Sequence, residues 1–285
     1  MPIDIERAVG ASLPATTFGW SDEDVILYHL GLGAGRDPID PVELRYVYEG
    51  DLVVLPTYAN IPAFPMVMGL GAVEGVDINL AQILHGEQDT LVHSRIPTSG
   101  TVDSEGSIVA IYDKGKGALV VVETVSTLRG ADEPIFTNLS RVYVKGEGGF
   151  GGDPGPSARS GPPDREPERT VESPTLPQQA LLYRMASGDR NPLHADPGFA
   201  SFAGFERPIL HGLCTYGVVC KAIVDAALGS DPTVVGSFEG RFAGVVFPGE
   251  TISTRIWDEG DIYRAEAMVV ERGERVLTNA VLALR

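Results

Sequence analysis

Five residues recur at a constant offset of 141. Glu133, Ile135, Phe136, Thr137 and Asn138 match Glu274, Val276, Leu277, Thr278 and Asn279. Agreement at one fixed offset across half a chain is the mark of duplication. A duplicated chain must fold as two similar units whose apolar faces meet. Between the copies, residues 146–169 hold seven Gly and five Pro among 24 positions, with Phe150 as the only aromatic. So little apolar surface cannot order a segment by itself, and this stretch reads as a linker. The organisation expected is an N-terminal unit over 1–145, the Gly/Pro-rich linker over 146–169, and a C-terminal unit over 170–285.

The C-terminal unit is the more legible. From His211 to Leu228, Leu213, Tyr216, Val219, Cys220, Ile223 and Ala227 recur at helical spacing. Ahead of it, 177–187 is a short helix or strand, and 196–204 a short helix with Asp196 as cap and Pro197 at its first position. Four strand-like runs follow, over 234–246, 250–257, 262–271 and 275–284. The turns between them are Pro248-Gly249, Glu259-Gly260 and Arg272-Gly273. One long helix followed by antiparallel strands predicts an α+β unit in which a sheet wraps around a central helix.

The N-terminal unit has matching strands over 107–113, 118–128 and 135–144, but not the helix. Residues 52–73 carry no charged side chain, which is membrane length. Pro56, Pro62, Pro65, Gly69 and Gly71 interrupt them, so a buried strand and then a proline-bent segment are expected instead. A lost or shortened central helix would leave space, and space inside an apolar sheet is a ligand cavity.

The net charge of −17 turns away nucleic acid and anionic membrane surfaces as main partners. Cys214 and Cys220 point in different directions on one helix, so no disulfide is expected and a reducing, cytoplasmic setting is favoured. No signal peptide or peroxisomal tripeptide is visible at the ends.

Two polar groups could carry chemistry. The first runs from Tyr183 to Pro197 and places Asp189, Asn191 and His194 on one Gly- and Pro-constrained loop. A carboxylate and an imidazole around one water suit the addition of water to an activated double bond, or its removal. Asp-x-Asn-Pro is also ordinary turn chemistry, so the residues alone admit both readings. The second is Pro208-Ile209-Leu210-His211-Gly212, where Gly212 opens the long helix. A glycine there lets a substrate oxygen approach free amides; it can equally be an ordinary glycine near a helix start, and His211 by itself reads as structural.

Residues 181–217 closely resemble the signature of the R-specific, type 2 enoyl-CoA hydratases. These are MaoC-like dehydratases with a hot-dog fold, and the whole chain resembles their double hot-dog form. Tyr28 to Pro38, Leu84 to Gln88 and Asp113 to Gly117 are similar to that family's N-terminal segments. The resemblance implies a hydro-lyase of fatty-acid metabolism that hydrates trans-2-enoyl-CoA to (3R)-3-hydroxyacyl-CoA, or runs in reverse. It implies Asp189 and His194 as the catalytic pair, Asn191 as an orienting group and the Gly212 amide as oxyanion donor. It places His85, Gly86, Lys114, Arg190 and Phe242 at the acyl-CoA, and a homodimer in solution. Lys116, Arg184, Arg207 and Arg241 are further cations available to CoA phosphates.

No cofactor and no metal are expected. Asp189, His194 and Asp196 lack a further ligand at metal spacing, the glycines over 31–35 are followed by prolines that cannot open a dinucleotide-binding helix, and Cys214 lies among apolar neighbours. The competing readings are an acyl-carrier-protein dehydratase, a hot-dog thioesterase and a non-catalytic acyl-CoA-binding protein.

Overall fold

A computed structural model describes residues 3–78, 83–156 and 161–285. The N-terminal half comprises α1 (Ile5–Ala8), β1 (Ser12–Trp20), α2 (Asp22–Gly31), α3 (Pro41–Val47), α4 (Asn60–Met68), β2 (Ile83–Val92), β3 (Gly100–Asp113), β4 (Gly117–Leu128) and β5 (Pro134–Lys145). The C-terminal half comprises β6 (Arg169–Pro174), α5 (Gln179–Ser187), α6 (Pro197–Phe202), α7 (Gly212–Ala227), β7 (Val235–Phe242), β8 (Thr251–Asp258), β9 (Ile262–Val269) and β10 (Glu274–Leu284).

All ten strands form one antiparallel sheet in the order β1-β3-β4-β5-β2-β7-β10-β9-β8-β6. Each half therefore repeats one plan: first, third, fourth, fifth and second strand. The duplication is seen directly in this order. The halves join where β2 runs beside β7, from Glu87 opposite Arg241 to Leu91 opposite Ser237. The repeated Phe136 and Leu277 are both fully buried, as their shared position in β5 and β10 requires.

The repeated asparagines diverge. Asn138 is buried and donates to the Ala59 carbonyl at 3.0 Å. Asn279 takes φ 52° where β10 slips register.

α7 is the central helix of the C-terminal half. It buries Cys214 to Cys220 without a break, because β6, β7, β8, β10 and the 3-10 turn at Pro56–Ala59 pack against it. A helix apolar nearly all round is one that tertiary packing surrounds. Its counterpart in the N-terminal half is cut into pieces, with short 3-10 turns at Pro56–Ala59 and Gly69–Ala72 flanking the nine-residue α4. Pro62 falls in the first turn, where its missing N–H has no role, whereas Pro65 removes a hydrogen bond inside. The central helix is thus shortened, and the buried strand expected in 52–73 does not form.

Hydrogen bonds tie the segment expected as a linker to both halves of the chain. The Asp113 carboxylate accepts N–H bonds from Gly115, Gly149 and Gly151, and the Asp113 amide donates to the Asp153 carbonyl at 2.8 Å. Further along, Trp257 Nε1 donates to the Arg165 carbonyl at 2.8 Å. What the segment lacks in apolar surface is supplied by hydrogen bonds to the β3–β4 turn and to β8. Its last residue, Arg169, already belongs to β6. Residues 157–160 of that expectation lie outside the described residues.

The two units also share one core: Tyr28 and Tyr183, from α2 and α5, meet with ring centroids 6.0 Å apart. Among the described residues no helix is long and apolar enough to cross a membrane.

Candidate active site

The loop after α5 is built by its own side chains. Gly188 ends the helix in the left-handed region at φ 70°, which favours glycine. Asp189 Oδ1 then accepts from the Asn191 amide at 2.9 Å, and Asn191 Oδ1 from the Leu193 amide at 3.0 Å. These two turns launch the 3-10 turn Pro192–His194, and Asp196 caps α6 by accepting from Gly198 and Phe199. Arg184 braces the loop from α5, donating to the carbonyls of Asp189 at 3.3 Å and Asn191 at 2.9 Å. The turn chemistry and the site are therefore the same residues, and the two readings of this loop are not exclusive.

His194 is buried and its Nδ1 donates to the Ile209 carbonyl at 2.9 Å. A carbonyl only accepts, so the proton is on Nδ1 and Nε2 keeps a lone pair. That Nε2 stands 3.9 Å from Asp189 Oδ2. Burial lowers the His194 pKa, against the raising pull of the Ile209 bond and Asp189. His211 presents its own Nε2 to the same Oδ2, also at 3.9 Å. Its ring stacks on His194 with centroids 3.7 Å apart and planes 25° apart. Burial pushes His211 down to about 2.

His211 is the N-cap of α7, and Gly212 is the helix's first residue. The first amides of a helix have no intrahelical acceptor and face the positive end of its dipole. A Cβ on Gly212 would come within 3.3 Å of the Phe242 ring, so a larger residue here would press on that ring.

These groups line one cavity of about 1050 Å³. Ile61, Phe64, Val67 and Met68 of the broken N-terminal helix form part of its wall, as do residues at the start of β2. Asp189, Asn191, His194, Gly212, His85, Gly86, Lys114 and Phe242 all face it. Gly86 sits in the bulge of β2 between His85 and Glu87, and the His85 ring meets Phe242 edge-on at 5.0 Å. Lys114, on the β3–β4 turn, reaches the Pro154 carbonyl.

Arg190 is an exception: it is exposed, its guanidinium contacts Met185 Sδ at 3.4 Å, and it is not on the cavity wall. The Asp189–Asn191 turn points residue 190 outward. Arg184, read from sequence as a cation for phosphates, is occupied by the loop carbonyls. Sequence reasoning missed that brace and undervalued His211; the only available signal for either was its place beside the two motifs.

Asp189, His194 and His211 offer three ligand atoms within 4.8 Å of one another. Imidazole binds metal in the plane of its ring. Two rings stacked face to face send their lone pairs side by side rather than to one point, so this donor set fits an ion poorly. Asp196 is committed to its cap. Cys214 is buried, its thiol pKa is raised by burial, and Sγ donates to the Gly31 carbonyl at 3.4 Å, so it is not a poised nucleophile.

Residues 158–280 match the MaoC like domain, and residues 18–146 match the MFE-2 hydratase 2 N-terminal domain. The chain is 46% identical to an enoyl-CoA hydratase of Mycobacterium tuberculosis, covering 99% of this chain and 98% of that one. It is 40% identical to a peroxisomal enoyl-CoA hydratase 2 of Arabidopsis thaliana, covering 94% and 92%. A crystal structure of a MaoC-like dehydratase from Phytophthora capsici superposes with a TM-score of 0.89 at 30% identity, covering 99% and 98%.

Proposed function

Given that this chain belongs to the MaoC-like, hydratase 2 family of hydro-lyases, we propose that it adds water to trans-2-enoyl-CoA to give (3R)-3-hydroxyacyl-CoA, or removes it in reverse. One observation carries the mechanism: two acceptors, His194 Nε2 and Asp189 Oδ2, face each other at 3.9 Å on the cavity wall. That gap is too long for a direct hydrogen bond and close to what one water spans by donating to both.

In this reading the water's oxygen bonds to C3 as one of its O–H bonds breaks toward the pair. The C2=C3 π electrons move into the thioester, whose oxygen the Gly212 amide receives. The proton then returns from the pair to C2, so one water supplies both groups. Asn191 spends its carbonyl oxygen on the turn, which leaves its NH₂ to orient substrate. The thioester is the electron sink, so the reading assigns no metal or redox cofactor. His85, Gly86, Lys114 and Phe242 contact the acyl-CoA, and the apolar wall from the broken helix receives the acyl tail.

The test is loss of enoyl-thioester absorbance with crotonyl-CoA and a long-chain trans-2-enoyl-CoA, followed by chiral analysis of the product. Rapid loss with a (3R) product supports the reading. No loss with either ester, or a (3S) product, overturns it.

A cytoplasmic homodimer completes the proposal. The edge pairing that could join two hot-dog units is made within the chain by β2 and β7, so a dimer must use another face. A solution mass of twice 30.3 kDa supports it, and a sharp 30.3 kDa species removes it.

A further inference from the structure

His211 is 2% exposed, and neither of its ring nitrogens has a hydrogen-bond partner of full geometry among the described residues, although the nearby Asp189 main-chain carbonyl raises its pKa against burial. Leaving two buried polar atoms unmade costs free energy that a phenyl ring of the same shape would not. The imidazole therefore calls for a use.

Its neighbours indicate one. Asp189 Oδ1 is spent on the Asn191 amide, so Oδ2 is the oxygen left for chemistry. His194 cannot donate to Oδ2, because its proton is on Nδ1 and held by Ile209. Of Asp189, Arg184 reaches the main-chain carbonyl and not the carboxylate. From α5, Tyr183 also faces this cluster; its ring is 5.0 Å from that of His211 and its buried hydroxyl has no hydrogen-bond partner among the described residues. His211 Nε2, 3.9 Å from Oδ2, is the nitrogen placed to donate.

We propose that His211 is a positioning residue, whose Nε2–H closes onto Asp189 Oδ2 when substrate fills the site and whose ring face fixes the plane of His194. Catalytic hydrogen bonds that are long in the free enzyme commonly tighten in the complex. The donated bond keeps Asp189 Oδ2 aimed at the shared water. The stack keeps His194 Nε2 turned to that same water. His211 itself touches neither the reacting carbons nor the thioester oxygen.

The inference rests on the proposed hydration, and the experiment separates the two. His211→Phe keeps the ring and removes the donor; His211→Gln restores an amide N–H; His211→Met is a second apolar replacement should Phe give no folded protein. The apolar variant is expected to lower kcat roughly ten- to a hundredfold, with KM within about threefold. The acid limb of its kcat–pH profile moves up by about one unit, since a carboxylate that loses a donor is protonated more readily. His211→Gln recovers most of both effects.

In parallel, with a saturated acyl-CoA filling the site, the Asp189 carboxyl is titrated by ¹³C NMR, its signal assigned by its loss in Asp189→Asn. An Asp189 midpoint or acid limb in the apolar variant equal to the wild type overturns the inference, as does Gln faring no better than the apolar residue. Absence of turnover in the wild type overturns the function instead, and the carboxyl titration still decides the role of His211.

Discussion

His194 gives its Nδ1 proton to the Ile209 carbonyl at 2.9 Å, and this bond sets the chemistry of the loop. It fixes the tautomer, so Nε2 reaches the cavity as a base. Ile209 is in the segment leading into α7, so the bond also ties the Asp189–His194 loop to the helix whose first amide is the proposed donor to the thioester. The proposed base and the proposed oxyanion donor are thereby linked through one hydrogen bond, as proximity and electrostatic preorganisation favour.

Replacing either acceptor removes one arm of the water bridge. Asp189→Asn and His194→Gln are each expected to lower kcat by roughly 10²–10⁴. The two effects should not add, since both act on one water. Steady-state hydration of crotonyl-CoA by the single and double variants checks this, and near-normal turnover in both single variants contradicts it.

Gly212→Ala places a methyl about 3.3 Å from the Phe242 ring. The ring must give by a few tenths of an ångström, which would disturb the wall beside the proposed oxyanion donor. The expected loss in kcat/KM is roughly tenfold with little change in Tm. Phe242→Leu in the same chain should recover part of it. A double-mutant cycle with no coupling between the two positions would show that the glycine serves another purpose.

How much of this was legible depends on where each interaction lies along the chain. α7 could be read because its apolar spacing is local. The broken N-terminal helix could be read because Pro65 and Gly69 act on their own backbone. β6 gave no signal: Arg169 to Pro174 is an edge strand that alternates between exposed and half-buried. β2 was hidden by its interior, where Gln88, Asp89 and Thr90 are buried polar residues.

Gln88 and Thr90 are satisfied by Asn138, fifty and forty-eight residues away, and no local pattern carries such a partnership. The Asp189 loop was recognisable as a motif. That Arg184 braces it and that His211 stacks on His194 are facts of three-dimensional packing.

Asp113 makes a prediction about the Gly-rich segment. Its carboxylate collects the amides of Gly115, Gly149 and Gly151, and those bonds lower its pKa. Asp113→Ala removes the acceptor from all three. The 146–156 stretch should then become a site of proteolytic nicking, while wild-type protein resists under the same conditions. Pro156 and Lys114 both line the cavity, so KM for enoyl-CoA should rise as well. An identical digestion pattern for the two proteins would show that the segment is held by other contacts.

His29 gives the fold a pH dependence of known sign. Its Nδ1 donates to the Tyr46 carbonyl at 2.8 Å, and its Nε2 accepts from the Leu55 amide at 3.3 Å. Both nitrogens are used by the neutral ring, so protonation breaks the second bond. Burial accordingly pushes its pKa down to about 4. The unfolded chain titrates this group near 6.5, so between about 6.5 and 4 the unfolded state binds the extra proton. The stabilisation is fully present above 6.5 and is lost as pH falls through that window, at up to about 1.4 kcal/mol per pH unit. His29→Gln does not titrate. Urea unfolding at pH 7, 6 and 5 should therefore show the variant's stability falling less steeply than the wild type's, by close to one proton. Parallel slopes would mean that His29 titrates in the folded protein as it does in the unfolded chain.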